Sequence, residues 1–285
     1  MNIIQAHNLS CPIDGDKLEQ NNRQLVCANG HSFDIARQGY VNLLPVQHKR
    51  SKQPGDSKAM VLARTEFLNS GIYEKIASKL TAIVINQITT DDEICILDAG
   101  CGEGYYLDVI FNSLIDLQED RTLSFIGLDI SKDAIIQSSK RNKQICWLVG
   151  TNRQPPVQDG SVDIILCLFG FMSVDAFYRV LKPGGKIILL DPGPDHLTEL
   201  RKIIYPQVKK QDRSGPTQIE REGFALIESE ALTFKEKINT NEKIKQLLIM
   251  TPHFYRASNE GRRAACSLDK LDITVDVIFR VLKKS

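Results

Sequence analysis

The sequence predicts an α/β fold in which a small N-terminal unit precedes a doubly wound parallel sheet. From about residue 71 onward, short and continuously apolar segments alternate with segments of helical periodicity. Apolar strands of this kind are typical of parallel sheets that helices cover on both faces. The first 45 residues differ, because they are rich in turn-forming residues and carry Cys11, Cys27 and His31.

The predicted helices and strands follow one another in a regular order. Apolar spacing predicts helices over 59–68, 72–87 and 105–117, and strands over 93–98, 123–129, 145–149, 162–168 and 186–191. Ser131 is a suitable N-cap for a helix that ends at Arg141. Ser173 is a suitable N-cap for a helix that ends at the Lys-Pro-Gly-Gly breaker of residues 182–185.

The C-terminal part has a different pattern. Residues 224–238 and 271–281 alternate as strands do, and a helical stretch over 242–250 lies between them. These segments predict an antiparallel hairpin at one edge of the sheet.

Composition argues against a strongly basic nucleic-acid-binding protein, a disulfide-rich protein and a membrane protein. The chain has 42% hydrophobic and 25% charged residues and a net charge of +1, so any surface that attracts nucleic acid must be local. Its seven cysteines, four of them in or beside apolar runs, indicate reduced thiols. The sequence shows neither a signal-peptide pattern nor a membrane-length apolar run, and we expect a cytoplasmic protein.

A glycine-rich turn follows the first predicted strand of the sheet. Gly100, Gly102 and Gly104 open the next helix, at the sheet edge where ligands bind in doubly wound folds. Asp98 precedes them and would repel a pyrophosphate but attract a cationic amino acid. Asp129 ends the next strand. A carboxylate at this position can accept hydrogen bonds from the hydroxyls of a ribose, or it can cap the following helix.

Three of these segments resemble the hallmark motifs of class I S-adenosylmethionine-dependent methyltransferases. They are residues 97–104, Asp129 and residues 181–185. A narrower block, residues 27–44, is similar to the bacterial RlmA-type 23S rRNA guanine-N1 methyltransferases, and the similarity continues at 45–51, 54–56, 102–106, 192–197 and 250–252. The resemblance implies a Rossmann-like methyltransferase fold, S-adenosylmethionine as cofactor, and methyl transfer to N1 of a guanine in a 23S rRNA hairpin loop.

The resemblance also implies a set of cofactor-binding residues. Tyr73 and His196 match family positions that reach the cofactor, although a core tyrosine and a histidine at a helix N-terminus are the alternatives. The full predicted set is Tyr73, Asp98, Gly100, Gly102, Glu103, Asp129 and His196. Asn152 follows the third strand and stays outside the set, because it could equally be a turn residue.

The family carries a zinc ion in its N-terminal unit, and this sequence departs from the ligand pattern. Asp14 stands where the second cysteine of a Cys-x-x-Cys pair is expected, so the predicted ligands are Cys11, Asp14, Cys27 and His31. Carboxylate is a possible but less usual ligand of structural zinc. The alternative is that the metal has been lost, although a unit of about 45 residues is hard to stabilise without one.

The predicted organisation has three parts. They are a zinc-ribbon-like RNA-recognition domain at 1–45, a basic linker and helix at 46–70, and a methyltransferase domain at 71–285. The basic stretch 48–52 could contact RNA phosphates, or it could be a solvated linker. Four aromatic residues could stack on an unpaired base or pack in the core: Phe33, Tyr40, Phe254 and Tyr255.

The sequence leaves two questions about function open. The base that removes the guanine N1 proton is not singled out among Asp191, Asp195, His196 and His253. A methyltransferase acting on another RNA or a small molecule, and a non-catalytic binding module, remain alternatives to the rRNA enzyme. The family resemblance further suggests a homodimer.

Overall fold

A computed structural model describes residues 2–3, 5–48, 51, 53–88, 93–115, 122–205 and 223–285. Its strands are β1 (Asn2–Ile3), β2 (Glu19–Asn21), β3 (Gln24–Val26), β4 (Ser32–Asp34), β5 (Val41–Asn42), β6 (Glu93–Ala99), β7 (Thr122–Asp129), β8 (Cys146–Val149), β9 (Val162–Leu168), β10 (Leu181–Pro192), β11 (Phe224–Ile238) and β12 (Leu271–Lys284). Its helices are α1 (Lys58–Leu68), α2 (Glu74–Gln87), α3 (Tyr105–Ile115), α4 (Lys132–Arg141), α5 (Val174–Val180), α6 (Thr198–Ile204), α7 (Asn241–Met250), α8 (His253–Arg256) and α9 (Asn259–Cys266), with a 3₁₀ turn at Val46–His48. Across these ranges, no helix has the length and apolarity needed to cross a membrane.

The main sheet has the order β11-β12-β10-β9-β6-β7-β8-β5, and β1 also pairs with β7. Strands β5 to β10 in this sheet run parallel, while β12 is antiparallel to both β10 and β11. Strand β6 lies between β7 and β9, so the direction in which the chain adds strands reverses there. Such a reversal opens a crevice at the carboxyl edge of the sheet, where ligands bind.

The N-terminal unit has its own small sheet but is also joined to the main one. Strands β2, β3 and β4 form an antiparallel sheet, whereas β5 pairs in parallel with β8. The backbone N–H of Leu43 donates to Val149 at 2.9 Å, and Asn8 donates to the Ser161 hydroxyl at 2.9 Å. These bonds fix the unit against the edge and one face of the sheet.

Two hydrophobic clusters cover the two faces of the main sheet. One face packs against apolar residues of α1 to α4, α6, α7 and α9. The other packs against α5 and against the N-terminal unit, whose Leu9, Leu18 and Leu25 share a cluster with Leu128 and Leu148. The N-terminal unit therefore takes the place of further helices on that face.

The α/β fold and the late hairpin are confirmed, with some differences in detail. Strands 162–168 and 224–238 have the predicted bounds, but β12 inserts between β10 and β11. Ser131 caps α4 by accepting a hydrogen bond from Ala134 N at 3.3 Å. Ser173 occupies the N-cap position of α5, but its side chain makes no capping bond.

Candidate active site and metal centre

The glycine loop between β6 and α3 is folded against the end of β7. The N–H groups of Gly100 and Cys101 both donate to the Leu128 carbonyl, at 2.7 and 3.0 Å. All three glycines have positive φ, which favours glycine over other residues. The loop therefore presents bare backbone to the crevice beside β6.

Asp129 connects the glycine loop to the start of α4. One carboxylate oxygen accepts from Gly102 N at 2.9 Å and the other from Ser131 N at 2.7 Å. Burial raises the pKa of Asp129, while the two N–H bonds oppose that shift. A carboxylate oxygen can accept more than one hydrogen bond, so this capping role leaves lone pairs for ribose hydroxyls.

Three buried polar atoms of the crevice lack a hydrogen-bond partner among the described residues. They are Asp98 Oδ1, Tyr73 Oη and Tyr106 Oη. Burial, with the nearby Asp129 and Glu103 carboxylates, raises the pKa of Asp98 to about 8. Leaving a polar group buried and unpaired costs about 1–3 kcal/mol, so such a group calls for a partner.

These atoms fit the cofactor that the sequence resemblance implies. S-adenosylmethionine carries a sulfonium, an ammonium group and a ribose, and the crevice offers carboxylate and hydroxyl oxygens to them. A cationic ligand would stabilise the charged form of Asp98 and offset its burial. The acidic character of the crevice therefore matches a cationic nucleoside.

Glu103 has a partner of its own within the protein. Its carboxylate accepts from Arg141 Nη2 at 2.6 Å, and the glutamate side chain is almost completely buried. The same arginine also donates to the Glu103 carbonyl at 3.3 Å. This pair fixes the start of α3 to the end of α4, and contact between Glu103 and a cofactor stays a prediction.

His196 and Tyr73 lie beside each other at the carboxyl edge. Their ring centroids are 6.3 Å apart, and Tyr73 is buried at the start of α2. Nδ1 of His196 accepts from Asp276 N at 3.3 Å, so a neutral ring carries its proton on Nε2. Burial lowers the pKa of His196 to about 4, which makes the ring an uncharged donor at neutral pH.

The other candidates for the proton acceptor are not separated by their contacts. Asp191 pairs with Arg280 at 2.9 Å, and His253 Nδ1 lies 2.9 Å from the Tyr205 hydroxyl. Since His196 is neutral with its proton on Nε2, the geometry disfavours it as the base. The identity of the base stays open among the rest.

Sequence reasoning missed two residues of this site. Tyr106 lies two residues after the last glycine of the loop, within a segment that already carried the family resemblance. Arg64 of α1 bridges Asp56 at 2.5 Å and the Met250 carbonyl at 3.1 Å, and it contacts the position where a Gly102 side chain would start. No sequence pattern predicts Arg64, because its contacts join distant segments.

The predicted metal ligands come together in the N-terminal unit. Cys11, Asp14, Cys27 and His31 place their ligand atoms within 4.8 Å of one another. Nδ1 of His31 lies 3.6 Å from Cys11 Sγ and 3.4 Å from Cys27 Sγ, and Asp14 Oδ2 lies 3.4 Å from Cys27 Sγ. Ligands around tetrahedral zinc are about 3.3–3.8 Å apart.

One distance in this cluster is shorter than a zinc site requires. Asp14 Oδ2 and His31 Nδ1 are 2.8 Å apart, which is a hydrogen bond. Opening that bond by about half an ångström would bring this pair to the spacing of ligands around tetrahedral zinc. The donor set therefore fits zinc with a carboxylate in place of one thiolate.

The predicted RNA-contacting residues are only partly placed. Lys49, Arg50 and Lys52 of the basic stretch lie outside the described residues. Tyr40 is buried in the core, so core packing explains it, whereas Tyr255 is 61% exposed.

Comparison with known proteins gives two family matches and several relatives. The N-terminal zinc-ribbon family of RlmA matches residues 9–52, and a methyltransferase domain family matches residues 97–189. A candidate 23S rRNA guanine-N1 methyltransferase of Bacillus subtilis is 27% identical over 272 residues, 94% of each chain.

Two further relatives are more similar over a shorter stretch. The 23S rRNA (guanine(748)-N1)-methyltransferase of Streptomyces fradiae is 32% identical over 193 residues, 67% of this chain and 66% of that one. A candidate 23S rRNA guanine-N1 methyltransferase of Micromonospora griseorubida is 32% identical over 210 residues, 68% of each chain.

Proposed function

This chain belongs to the family of RlmA-type 23S rRNA guanine-N1 methyltransferases, and we propose that its target guanine lies unpaired in a hairpin loop. Within that family its reaction is the transfer of a methyl group from S-adenosylmethionine to a guanine of 23S rRNA. The observation that carries the assignment of a methyl-donor site is the acidic crevice, where oxygens of Asp98, Tyr73 and Tyr106 have no hydrogen-bond partner among the described residues.

We assign the crevice residues to parts of the cofactor by their chemistry. Asp129 accepts hydrogen bonds from the ribose hydroxyls, because it ends the strand next to the glycine loop. Asp98 stabilises the cationic methionine part, and the hydroxyls of Tyr73 and Tyr106 complete the polar wall. His196 approaches from the end of β10 as a neutral donor.

The reaction forms a bond between guanine N1 and the methyl carbon and breaks the bond between that carbon and sulfur. The cofactor supplies a methyl group already activated by its sulfonium, so the protein contributes mainly positioning. The N1 proton must leave to an acceptor as the bond forms. A hydrogen-bond donor near the keto oxygen O6 would stabilise the negative charge that develops there.

The hairpin loop follows from the position of N1 on the base. N1 lies on the Watson–Crick edge, so a paired guanine cannot present it to a methyl donor. An unpaired loop base can be rotated into a pocket at low cost, whereas a duplex base first has to unpair and unstack. A loop guanine is therefore the substrate that this chemistry favours.

We also propose that the four-residue cluster of the N-terminal unit holds a structural zinc ion. Three of its members are of the usual zinc-ligand types, namely Cys11, Cys27 and His31. The Asp14 carboxylate lies close enough to them to be the fourth ligand. The metal would join the loop of Cys11 and Asp14 to the β-turn of Cys27 and His31. We expect weaker binding than for a site with three thiolates.

The test measures methyl transfer to defined RNA. Purified chain and labelled cofactor are incubated with 23S rRNA from a strain that lacks the homologous enzyme, and the label is mapped to the modified atom. A synthetic hairpin with the guanine in its loop is compared with the same sequence annealed to its complement. We expect N1 labelling of the hairpin and at least a tenfold lower rate on the duplex.

The outcomes separate the remaining alternatives. Cofactor binding without transfer to any rRNA would indicate a non-catalytic module or another acceptor. Equal rates on hairpin and duplex would contradict the hairpin proposal but not the methyltransferase activity. The variant Asp129→Ala serves as control, because it should lose cofactor affinity and with it transfer to both RNAs.

A further inference from the structure

Two phenylalanines in the turn after β9 are exposed at the same sheet edge as the glycine loop. Phe169 is 40% exposed and Phe171 is 59% exposed. A side chain on Gly170 between them would start 3.7 Å from the Ala99 carbonyl oxygen, at the end of β6. The turn that carries both rings therefore borders the residue that precedes Gly100.

The backbone holds this turn in a strained shape. Phe169 has φ of +52°, in the left-handed region that costs a bulky residue about 1 kcal/mol or more. Leu197, directly after His196, has the same value and lies after the neighbouring strand β10. Strained residues of this kind cluster at ligand-binding sites, where the surrounding structure maintains them.

Hydrogen bonds fix the turn to the strands that carry the cofactor crevice. Phe169 N donates to the Leu190 carbonyl at 2.8 Å. The Asn152 amide donates both to Ala99 O, at 3.0 Å, and to Phe171 O, at 3.2 Å. One side chain thus ties the exposed aromatic turn directly to the end of β6.

The two rings have neighbours that suit a nucleotide. The His196 ring lies 6.2 Å from the Phe169 ring, tilted by 31°. The Arg153 guanidinium lies over Phe171, 5.2 Å from the ring centroid. An aromatic surface beside a neutral donor and a cation is complementary to a base and its phosphate.

We propose that Phe169 and Phe171 form a stacking platform for the target guanine. The inference rests on the proposed function, because it places the methyl acceptor of that reaction. Stacking uses the face of the base and leaves its Watson–Crick edge free, so N1 can meet the methyl group in the plane of the ring. The bordering cofactor crevice supplies the short distance that such a transfer requires.

The first test compares ring-removing and ring-conserving variants. We expect Phe169→Ala and Phe171→Ala each to lower kcat/KM for the hairpin RNA by roughly 5- to 150-fold, the range that one stacked base contributes. Phe169→Tyr and Phe171→Tyr should retain most of the activity, whereas the leucine variants should not. Ile227→Ala removes an apolar side chain of β11 whose exposure, 48%, lies between those of the two phenylalanines, and it should leave kcat/KM unchanged.

A second measurement decides the question without methyl transfer. Affinity for S-adenosylhomocysteine, measured by calorimetry, should stay within twofold of the wild type in all variants, which also shows that they are folded. Hairpin binding to the complex with S-adenosylhomocysteine should weaken for the alanine and leucine variants only. Unchanged hairpin affinity in both alanine variants would overturn the platform, whether or not the wild-type chain methylates that RNA.

Discussion

The buried surroundings of the Asp98 carboxyl group favour its neutral form when no cation is bound beside it. Asp98 is 1% exposed, and one of its oxygens has no partner among the described residues. Its raised pKa, about 8, means that binding a cationic cofactor at neutral pH must release a proton. The same group therefore links cofactor affinity to pH.

This link predicts the direction of the pH dependence. Because the free site is protonated below about pH 8, affinity for S-adenosylmethionine should rise from pH 6 to pH 8 by up to about tenfold per unit and level off above that. Asp98→Asn keeps the shape but cannot ionise, so its affinity should be low and independent of pH. Calorimetric titration at several pH values checks both, and a flat wild-type profile would refute the assignment.

A second residue-scale prediction concerns the metal ligand that departs from the family pattern. Asp14→Cys should tighten zinc binding at least tenfold, because thiolate is the better ligand for structural zinc. Competition with a chromogenic chelator measures the affinity. Asp16→Cys is the matched control, since Asp16 lies two residues away and outside the four-residue cluster. Equal affinities for Asp14→Cys and the wild type would indicate that Asp14 is not a ligand position.

At the scale of elements, the turn from β6 into α3 depends on close packing against β8 and α4. A side chain on Gly104 would start 2.7 Å from the Trp147 ring and 2.9 Å from Ser138 Cβ. Gly160 has a similarly positive φ, but nothing lies within 4 Å of its missing side chain. Comparing the two positions therefore separates the cost of backbone strain at a positive φ from the cost of crowding against neighbouring atoms.

We therefore expect unequal effects from the same substitution. Gly160→Ala should lower the free energy of unfolding by about 1 kcal/mol through strain alone. Gly104→Ala should lower it by about 2–4 kcal/mol, because crowding adds to the strain. Urea denaturation measures both, and equal losses would show that the turn can shift to admit a methyl group.

Elements were predictable where one segment contains its own signal. Strand β9 is apolar apart from Asp163 and lies between turn residues, and its predicted bounds match the observed ones. Helix α9 was missed, because it has only eight residues and few of them are apolar. It packs closely at Gly261, where a side chain would start 2.5 Å from the Ile204 carbonyl oxygen.

The same distinction applies to the candidate site. The glycine loop and Asp129 belong to short motifs that can be recognised along the chain, so the sequence alone predicts them as cofactor-binding residues. Arg64 and the exposed Phe169 acquire their meaning only from neighbours on other elements. Position along the chain does not determine those contacts.

At the scale of the whole molecule, the N-terminal unit and the main sheet share one hydrophobic cluster and a strand pair. Trp147, the single tryptophan of the chain, lies on β8, the strand to which β5 adds. Its fluorescence therefore reports on the main sheet while the metal cluster lies in the other unit. This arrangement allows coupling between the two to be measured.

Removing zinc should weaken the main sheet as well as the N-terminal unit. We expect a chelator to lower the free energy of unfolding followed by Trp147 fluorescence by about 2 kcal/mol or more, because metal binding contributes to folding. Cys11→Ser should reproduce the effect, and Cys266→Ser, on α9, should not. An unchanged Trp147 transition in the presence of the chelator would mean that zinc does not contribute to the stability of the main sheet.

The outer edge of β11 is a place where a strand from a second copy of the protein could add to the main sheet. Strand β11 has 15 residues, and within the described part of the chain it pairs only with β12. Glu230 and Glu236 form ion pairs with Lys79 and Lys75 of α2, and Lys235 is exposed beside them. A strand from a second molecule would have to strip water from these charges to extend the sheet. These charges therefore oppose the addition of a further strand at this edge of the sheet.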